Sequence, residues 1–431
     1  MNIVMIGPFG LKVKSTMRER ALPMAKALLK KGYAVTLVIP SWDNPEDAGK
    51  HWLDENVEIV SIPLPKKKGI LFHITLASWL VHYALEKEPD VIHLFKPKAY
   101  SGLAHVTLYM LRKLDRHQAK LIVDEDDWEQ AWNEINDYSF AEKKLFAWQE
   151  PWGLCHADRI TVASKELIGM VEELGVQSHK IHYVPNGIRH MEKPYVENPV
   201  LIWEIEMRKM VSNGHIYRHP RTKGVTPVSY NQSNPTIQIR KKYNLMGKPV
   251  VLLYTRFVEF TLTDLLTVII ALNQRLPTAH WLIVGEGFFG EEKELAKMAD
   301  RHGVADKLIF TGWVPQKDLP YYFATANVAF YPYVDTLINR TKCSVKLLDL
   351  LTAGVPVVAS QVGQNIEYIV HGKTGVLIPP HDLDVMTEAL ITILTNFDLQ
   401  LKFGEATVEY VNKMFNWDKL VAEVEAAYAC D

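Results

Sequence analysis

Short apolar runs, each followed by a stretch with helical spacing, recur in two successive series along this chain, and that rhythm limits the folds open to it. The first series runs through Ile3–Ile6, Val35–Ile39, Val57–Ile62, Val91–Leu94, Leu121–Val123 and Ile160–Ala163. The second runs through Val250–Tyr254, Trp281–Val284, Leu308–Phe310, Val328–Phe330 and Val355–Ala359. Strands that are apolar throughout are buried on both faces, and helices between them are the crossovers of a parallel sheet. The chain has 431 residues, too long for one open sheet and suited to two domains of about 200 residues each. The reading is therefore two Rossmann-like, doubly wound α/β domains. The first covers 1–190 and the second 242–410, with a terminal helix over 411–431 expected to return to the first. Between them, 191–241 is rich in Asn, Pro, Ser and Arg and keeps neither period, so it reads as a surface insertion plus linker.

Composition excludes several classes. A net charge of -2 gives no general attraction to nucleic acid, and no nucleic-acid partner is expected. The cysteines, Cys155, Cys343 and Cys430, are scattered without metal-ligand spacing, which suits a reducing, cytoplasmic compartment. Residues 1–6 read directly as a strand, so no leader is expected, and no apolar run approaches the ~20 residues of a membrane span.

Doubly wound sheets bind ligands at the carboxyl ends of their strands, and several motifs fall there. Gly7-Pro8-Phe9-Gly10 follows the first strand, where Gly10 could let the backbone approach an anion ahead of a helix. It lacks the G-x-G-x-x-G spacing of a dinucleotide site. In the run from Asn339 to Pro379, Ser344 can open a helix, with Lys342 and Lys346 beside its free amides. Lysine opposes the helix dipole there, unless a phosphate joins them. Asp349 lies three residues beyond Lys346 on the same face, placed to accept hydrogen bonds from a ribose diol. After Leu121–Val123 come four acids, Asp124, Glu125, Asp126 and Asp127. Carboxylates so close need a cation, a proton or hydroxyl partners, so substrate hydroxyls, a metal and a structural role all stay open. His93 ends another strand and reads as structural or catalytic. Lys66-Lys67-Lys68 followed by Gly69-Ile70-Leu71-Phe72 reads as a solvated loop or as a contact with a membrane surface.

The second half resembles the donor-binding core of the retaining, family 4 GT-B glycosyltransferases. Asp349, Gly354, Pro356, Val357, Val358, Ala359, Gly363 and Glu367 fall on that family's second-acid motif. Val184-Pro185-Asn186-Gly187, Leu253-Tyr254-Thr255-Arg256, Ile283-Val284-Gly285-Glu286-Gly287, Phe310-Thr311-Gly312-Trp313-Val314 and Phe415-Asn416-Trp417 through Tyr428 are similar to further family marks in order and spacing. The resemblance covers the chain except about 191–241. It implies two facing domains and transfer of a sugar from a nucleoside-diphosphate sugar to a sugar or lipid-linked acceptor hydroxyl. Retention at the anomeric carbon, no cofactor and no required divalent metal are also implied; a peripheral contact with the inner membrane face rests on the Lys66–Phe72 run instead. The implied donor-binding residues are Gly10, Arg256, Gly285, Trp313, Val314, Lys342, Ser344, Val345, Lys346 and Asp349. Arg256 and Lys346 would stabilise the leaving diphosphate, and Asp126 and Asp127 would act on the acceptor side. Three departures stand out: Thr341 replaces the first acid of the family's pair, the lysine expected soon after Arg256 is missing from FVEFTLTD, and acids stand where the family often has a histidine. A nucleotide-sugar epimerase on the same architecture, or a catalytically inactive nucleotide-sugar-binding protein, are the alternatives.

Overall fold

The computed structural model describes residues 1–14, 16–188 and 234–429; most of the expected insertion and Cys430 lie outside the described residues. The chain forms two compact units, Met1–Arg189 with Asp335–Val345 and Lys413–Asp431, and His190–Val334 with Lys346–Asn412. The segment 335–345, which the sequence reading gave to the second domain, thus groups with the first.

The first unit holds an eight-stranded sheet in the order β3-β4-β2-β1-β5-β6-β7-β8. Its strands are β1 (Asn2–Ile6), β2 (Ala34–Ile39), β3 (His51–Asp54), β4 (Val57–Ser61), β5 (Val91–Phe95), β6 (Lys120–Glu125), β7 (Arg159–Val162) and β8 (Ile181–Tyr183). β1 sits centrally, with Ile3 opposite Val35 on one side and Val91 on the other. All neighbours are parallel except β3, which folds back on β4 through Glu55 and Asn56, both at positive φ. Two left-handed residues make the tight hairpin turn whose twist matches the strands. The sequence series missed β3 because HWLD carries too little apolar character. Helices α1 (Leu22–Lys30), α2 (Ile70–Leu85), α3 (Ala99–Lys113), α4 (Glu129–Ile135), α5 (Phe140–Cys155) and α6 (Lys165–Glu173) supply the covering layers. The helix Trp417–Tyr428 joins one core, burying Trp417, Val421, Val424 and Tyr428 with Ile3, Met5, Leu28 and Ile122.

The second unit has a six-stranded sheet in the order β11-β10-β9-β12-β13-β14, parallel at every pairing. Its strands are β9 (Val250–Tyr254), β10 (His280–Val284), β11 (Leu308–Gly312), β12 (Val328–Tyr331), β13 (Val357–Ser360) and β14 (Val376–Ile378). The tail of the stretch read as linker is a helix, Pro235–Lys242, started by Pro235 and capped by Asn234 Oδ1 on the Thr236 amide. Its polar sequence hid the period. Arg240, buried to 1% exposure, anchors it by donating to the carbonyls of Thr325, Leu245 and Lys248.

One polar chain runs through the apolar interior of the first unit. A π-helical turn, Met17–Ala21, leads into α1 and carries Arg20. The guanidinium donates twice to Asp124, at 2.6 and 2.7 Å, and to Asn186 Oδ1 at 3.2 Å, with Arg20 and Asp124 both 0% exposed. Thr161 Oγ1 donates to Asp124 Oδ2 at 2.6 Å, so it must accept from His93 Nε2 at 3.1 Å. His93 Nδ1 is then the acceptor for the Tyr428 hydroxyl at 2.8 Å. Burial, then the neighbouring Arg20, lowers the His93 pKa to about 3, so the ring is neutral and this tautomer holds. His93 is structural here. Replacing Arg20 with Met leaves Asp124 buried without its counter-charge and should cost about 3–5 kcal/mol. Tyr428→Phe leaves only a neutral acceptor unmet and should cost about 1–3 kcal/mol. Urea unfolding of both variants checks the ranking.

Candidate functional site

Three adjacent strands of the second unit end side by side, and their loops gather the residues expected to hold a donor. β9 ends at Tyr254 and continues as Thr255-Arg256; β10 leads into Gly285, and β11 into Trp313. Gly285 has φ +115°, and a Cβ there would lie 2.1 Å from the Thr255 carbonyl oxygen. Only glycine allows that approach, so Gly285 sets the backbone from which Arg256 projects. Its amide donates to the Gly312 carbonyl at 3.1 Å. Arg256 is exposed, with its guanidinium carbon 5.7 Å from the Phe288 ring centre and 5.8 Å from that of Trp313. Phe288 and Trp313 are themselves 54% and 67% exposed. Such stacking orients a guanidinium while leaving its N–H edge free for an oxyanion. Val314 is buried behind Trp313, whose amide donates to Glu286 Oε1 at 3.3 Å.

Lys346 lies in the first turn of the helix Val345–Thr352, and its ammonium pairs with Glu259 Oε1 at 2.8 Å. Glu259, only 3% exposed, takes the Thr255 hydroxyl on its other oxygen at 3.0 Å. The ammonium also lies 5.8 Å from the Tyr254 ring. A buried carboxylate thus compensates the lysine that the helix dipole opposes, a role the sequence reading had reserved for phosphate. Glu259 was missed because one acid inside FVEFTLTD carries no signal of its own. Asp349 is half-buried on the same helix. Lys342 follows the helix Leu337–Thr341 and caps its end through its amide to Ile338, where the dipole favours a cation. Lys342, Ser344 and Val345 group with the first unit, whereas Lys346 and Asp349 group with the second. Thr341 is buried, and its hydroxyl donates to the Leu337 carbonyl at 2.9 Å.

In the first unit the acids divide by strand geometry. Side chains alternate across a sheet, so Asp124 joins Arg20 while Glu125 faces the other way. Asp126, Asp127 and Glu129 each offer an oxygen within 4.8 Å of the others, a donor set of the kind a divalent ion takes. The charge among them is the Lys96 ammonium, 2.8 Å from Asp126, 3.2 Å from Asp127 and hydrogen-bonded to Glu129. Lys98 pairs with the second Glu129 oxygen at 2.8 Å and sits over the Tyr138 and Phe146 rings. Lys96 and Lys98 were missed because their sequence neighbourhood, FKPKAY, reads as an ordinary turn. The Gly10 amide, expected to meet an anion, donates to Asp43 Oδ1 at 2.9 Å.

This cluster sets unusual protonation states. Burial pushes Asp127 up, Lys96 pulls it back, and Asp126 and Glu129 push again, leaving it at about 7. For Glu129 burial is outweighed by Lys96 and Lys98, and its pKa falls to about 2. Glu150 accepts the Glu129 and Gln130 amides at the start of α4, yet burial and the Glu129 charge raise it to about 8. Glu125 is fully buried with neither oxygen hydrogen-bonded. Burial, then Glu150 and Glu129, hold its pKa well above the usual carboxylate range.

Folded Glu125 therefore keeps a proton that the unfolded chain releases above about pH 4.3. Its contribution to stability falls as pH rises from there toward the folded pKa. Glu125→Gln cannot ionise and should gain stability over the parent, with a gain in Tm that widens from pH 5 to pH 8. Melting curves across that range check it; a flat difference would mean that Glu125 is ionised in the folded protein.

Comparison with known proteins places this geometry. The Glycosyl transferase 4-like domain family matches residues 15–187, and the Glycosyl transferases group 1 family matches residues 248–396. Over 196 residues the chain is 32% identical to a GDP-mannose-dependent alpha-(1-6)-phosphatidylinositol monomannoside mannosyltransferase of Mycobacterium tuberculosis, covering 43% of this chain and 49% of that protein. The chain thus spans about half the length of the first curated relatives it matches. A phosphatidyl-myo-inositol mannosyltransferase of Mycobacterium leprae aligns over 99% of this chain and 96% of its own length at 21% identity. Among solved structures, a sucrose-phosphate synthase from Thermosynechococcus elongatus superposes with a TM-score of 0.67 at 16% identity, over 99% of this chain and 98% of that one. Two consecutive family matches and a shared pair of parallel-sheet domains make this chain a member of the GT-B glycosyltransferases, with a 4-like first domain and a group 1 second domain.

Proposed function

We propose that this protein transfers a sugar from a nucleoside-diphosphate sugar to an acceptor hydroxyl, with retention at the anomeric carbon. The observation that carries the donor assignment is Arg256, exposed between Phe288 and Trp313 at the carboxyl ends of β9 to β11. The GDP-mannose dependence in the name of a 32% identical relative supports a nucleoside-diphosphate hexose as the donor class. In this reading Arg256 and Lys346 take the charge that grows on the diphosphate as its oxygen leaves the anomeric carbon with the bonding electron pair. Glu259 holds Lys346 in place, and Asp349 receives the ribose hydroxyls. The acceptor oxygen forms the new bond, and its proton passes to Asp127, which is poised near neutrality. No metal or further cofactor is invoked.

The donor half is tested by thermal shift against a panel of nucleoside diphosphates, since a ligand at 100 times its Kd adds about 2.7 kcal/mol of stability. Asp349→Ala should weaken the preferred nucleotide by about 1.5–3 kcal/mol, the scale of a charged hydrogen bond. Arg256→Ala and Lys346→Ala should lower turnover far more than they lower melting temperature. Wild-type turnover should rise with pH through about 7 as Asp127 ionises, and Asp127→Asn should lose that rise. Product NMR reports the anomeric configuration; inversion, or free epimerised sugar without transfer, would overturn the reading.

The same proposal includes a peripheral membrane contact through the first unit. Lys66, Lys67 and Lys68 are exposed before α2, whose first turns expose Ile70, Leu71 and Ile74. The outer face of α5 adds exposed Phe140 and Trp148, with Lys144 5.6 Å from the Phe140 ring. Apolar side chains ringed by lysines fit an anionic bilayer surface. No helix among the described residues is long and apolar enough to cross a membrane. Flotation with vesicles containing phosphatidylglycerol should capture the protein, and Ile70→Ser with Leu71→Ser should abolish capture. Equal capture by neutral vesicles would count against the lysines.

A further inference from the structure

Among the described residues Asp127 has one ion-pair partner, Lys96, and the main chain that carries this lysine is unusual. Lys96 follows the end of β5, and its amide donates to the Asp124 carbonyl at 2.9 Å, so the pairing with β6 extends as far as the acids. There the backbone turns left-handed, with φ of 56° at Lys96 and 50° at Ala99. The Lys98 amide closes the turn on the Lys96 carbonyl at 2.6 Å. Non-glycine residues adopt that conformation at a cost, and such residues gather at functional sites. The turn leaves the Lys96 ammonium among three carboxylates, 2.8 Å from Asp126, 3.2 Å from Asp127 and hydrogen-bonded to Glu129.

The ammonium is itself held in place. Glu129 gives its other oxygen to Lys98 at 2.8 Å, and Lys98 rests over the Tyr138 and Phe146 rings. The Glu129 amide donates to Glu150 on α5. Burial alone would strip the Lys96 proton, but Asp126, Glu129 and Asp127 outweigh it and hold its pKa well above the usual lysine range. The three acids are not equivalent. The Asp126 and Glu129 side chains are 9% and 7% exposed, against 21% for Asp127, whose contact with the ammonium is the longest. Asp127 can therefore meet a substrate hydroxyl while it still feels the lysine. Without that charge, burial, Asp126 and Glu129 would all favour its protonated form. Glu125 and Glu150 interact with Glu129 and hold raised pKa values, and Lys14 is within electrostatic reach of Lys96, Lys98 and Glu129.

We infer that Lys96 is a positioning residue of the transfer reaction: pinned by Glu129, its ammonium orients the Asp127 carboxylate and keeps it able to take the acceptor's proton. Lys98 does not reach Asp127 and serves by holding Glu129. The inference rests on the transferase reading and deepens it by naming the group that governs its proposed base.

Carbon-13 NMR of protein labelled at the aspartate side-chain carboxyls follows Asp127 directly, its resonance identified by its loss in Asp127→Asn. Wild type should titrate at about pH 7. Lys96→Met should raise that midpoint by about one pH unit or more, whereas Lys96→Arg, which keeps the charge, should return it to within about half a unit. If Lys96→Met does not fold, Lys96→Gln carries the same expectation. An unmoved midpoint in the neutral variant overturns the inference. Release of GDP from GDP-mannose, with water as acceptor, reads the consequence. A rise of one unit leaves about one-fifth as much ionised Asp127 at pH 7, so kcat there should fall about fivefold with KM little changed, and Lys96→Arg should restore it. A wild-type rate profile that ignores the Asp127 midpoint would remove Asp127 as the base and overturn the inference with it. The two failures are distinguishable: an unmoved midpoint beside a wild-type profile that follows Asp127 sinks the role of Lys96 alone. If wild type releases no GDP, the reading of the donor fails, and the NMR midpoint still decides whether Lys96 governs Asp127.

Discussion

The first unit depends on a guanidinium buried where water cannot reach it. Arg20 survives there because Asp124 meets it with both oxygens, and Thr161 donates to Asp124 as well. From this pair the donor chain passes through Thr161 and His93 to Tyr428, while Arg20 also reaches Asn186. The pair therefore ties the turn before α1, three strands, the Val184–Gly187 turn and the last helix to one point. In a dry interior each member is stable only if the next is in place, which makes the network a device for a single arrangement as much as a source of stability.

That pairing also leaves the remaining acids to their own face of the sheet. With Asp124 paired to Arg20, Asp126, Asp127 and Glu129 share Lys96 and Lys98, and Glu125 and Glu150 are buried beside them. There are fewer positive charges than carboxyl groups, so protons make up the difference, and the pKa values spread from about 2 at Glu129 to about 8 at Glu150. Such a spread lets Asp127 and Glu150 exchange protons near neutrality while Glu129 stays ionised. The second unit is arranged differently: Glu259 pairs with Lys346, and Arg256 rests on aromatic faces with no carboxylate ion-paired to it among the described residues.

The sequence by itself determined the strands and their class. Runs such as Ile3–Ile6 and Val250–Tyr254 are apolar at every position, and only a sheet covered on both faces can bury them so. It also pointed to the loops proposed to carry chemistry, because the carboxyl ends of those strands are where Arg256, Trp313 and the acids after Val123 stand. Glycine needs were legible in outline at Gly285; the reason, a carbonyl 2.1 Å from where a Cβ would sit, was not. Tertiary structure alone decided the partners. The four acids 124–127 look alike in sequence, yet strand alternation sends Asp124 to Arg20, 104 residues away, and leaves Glu125 buried on the other face, while Asp126 and Asp127, past the strand's end, meet Lys96 on the loop after a different strand. Lys342 and Lys346 look like one pair flanking a helix, yet one closes the preceding helix and the other meets an acid 87 residues distant. Local spacing reports periodicity and turns, whereas charge pairing is fixed by which strands lie side by side, and that order is a property of the folded sheet.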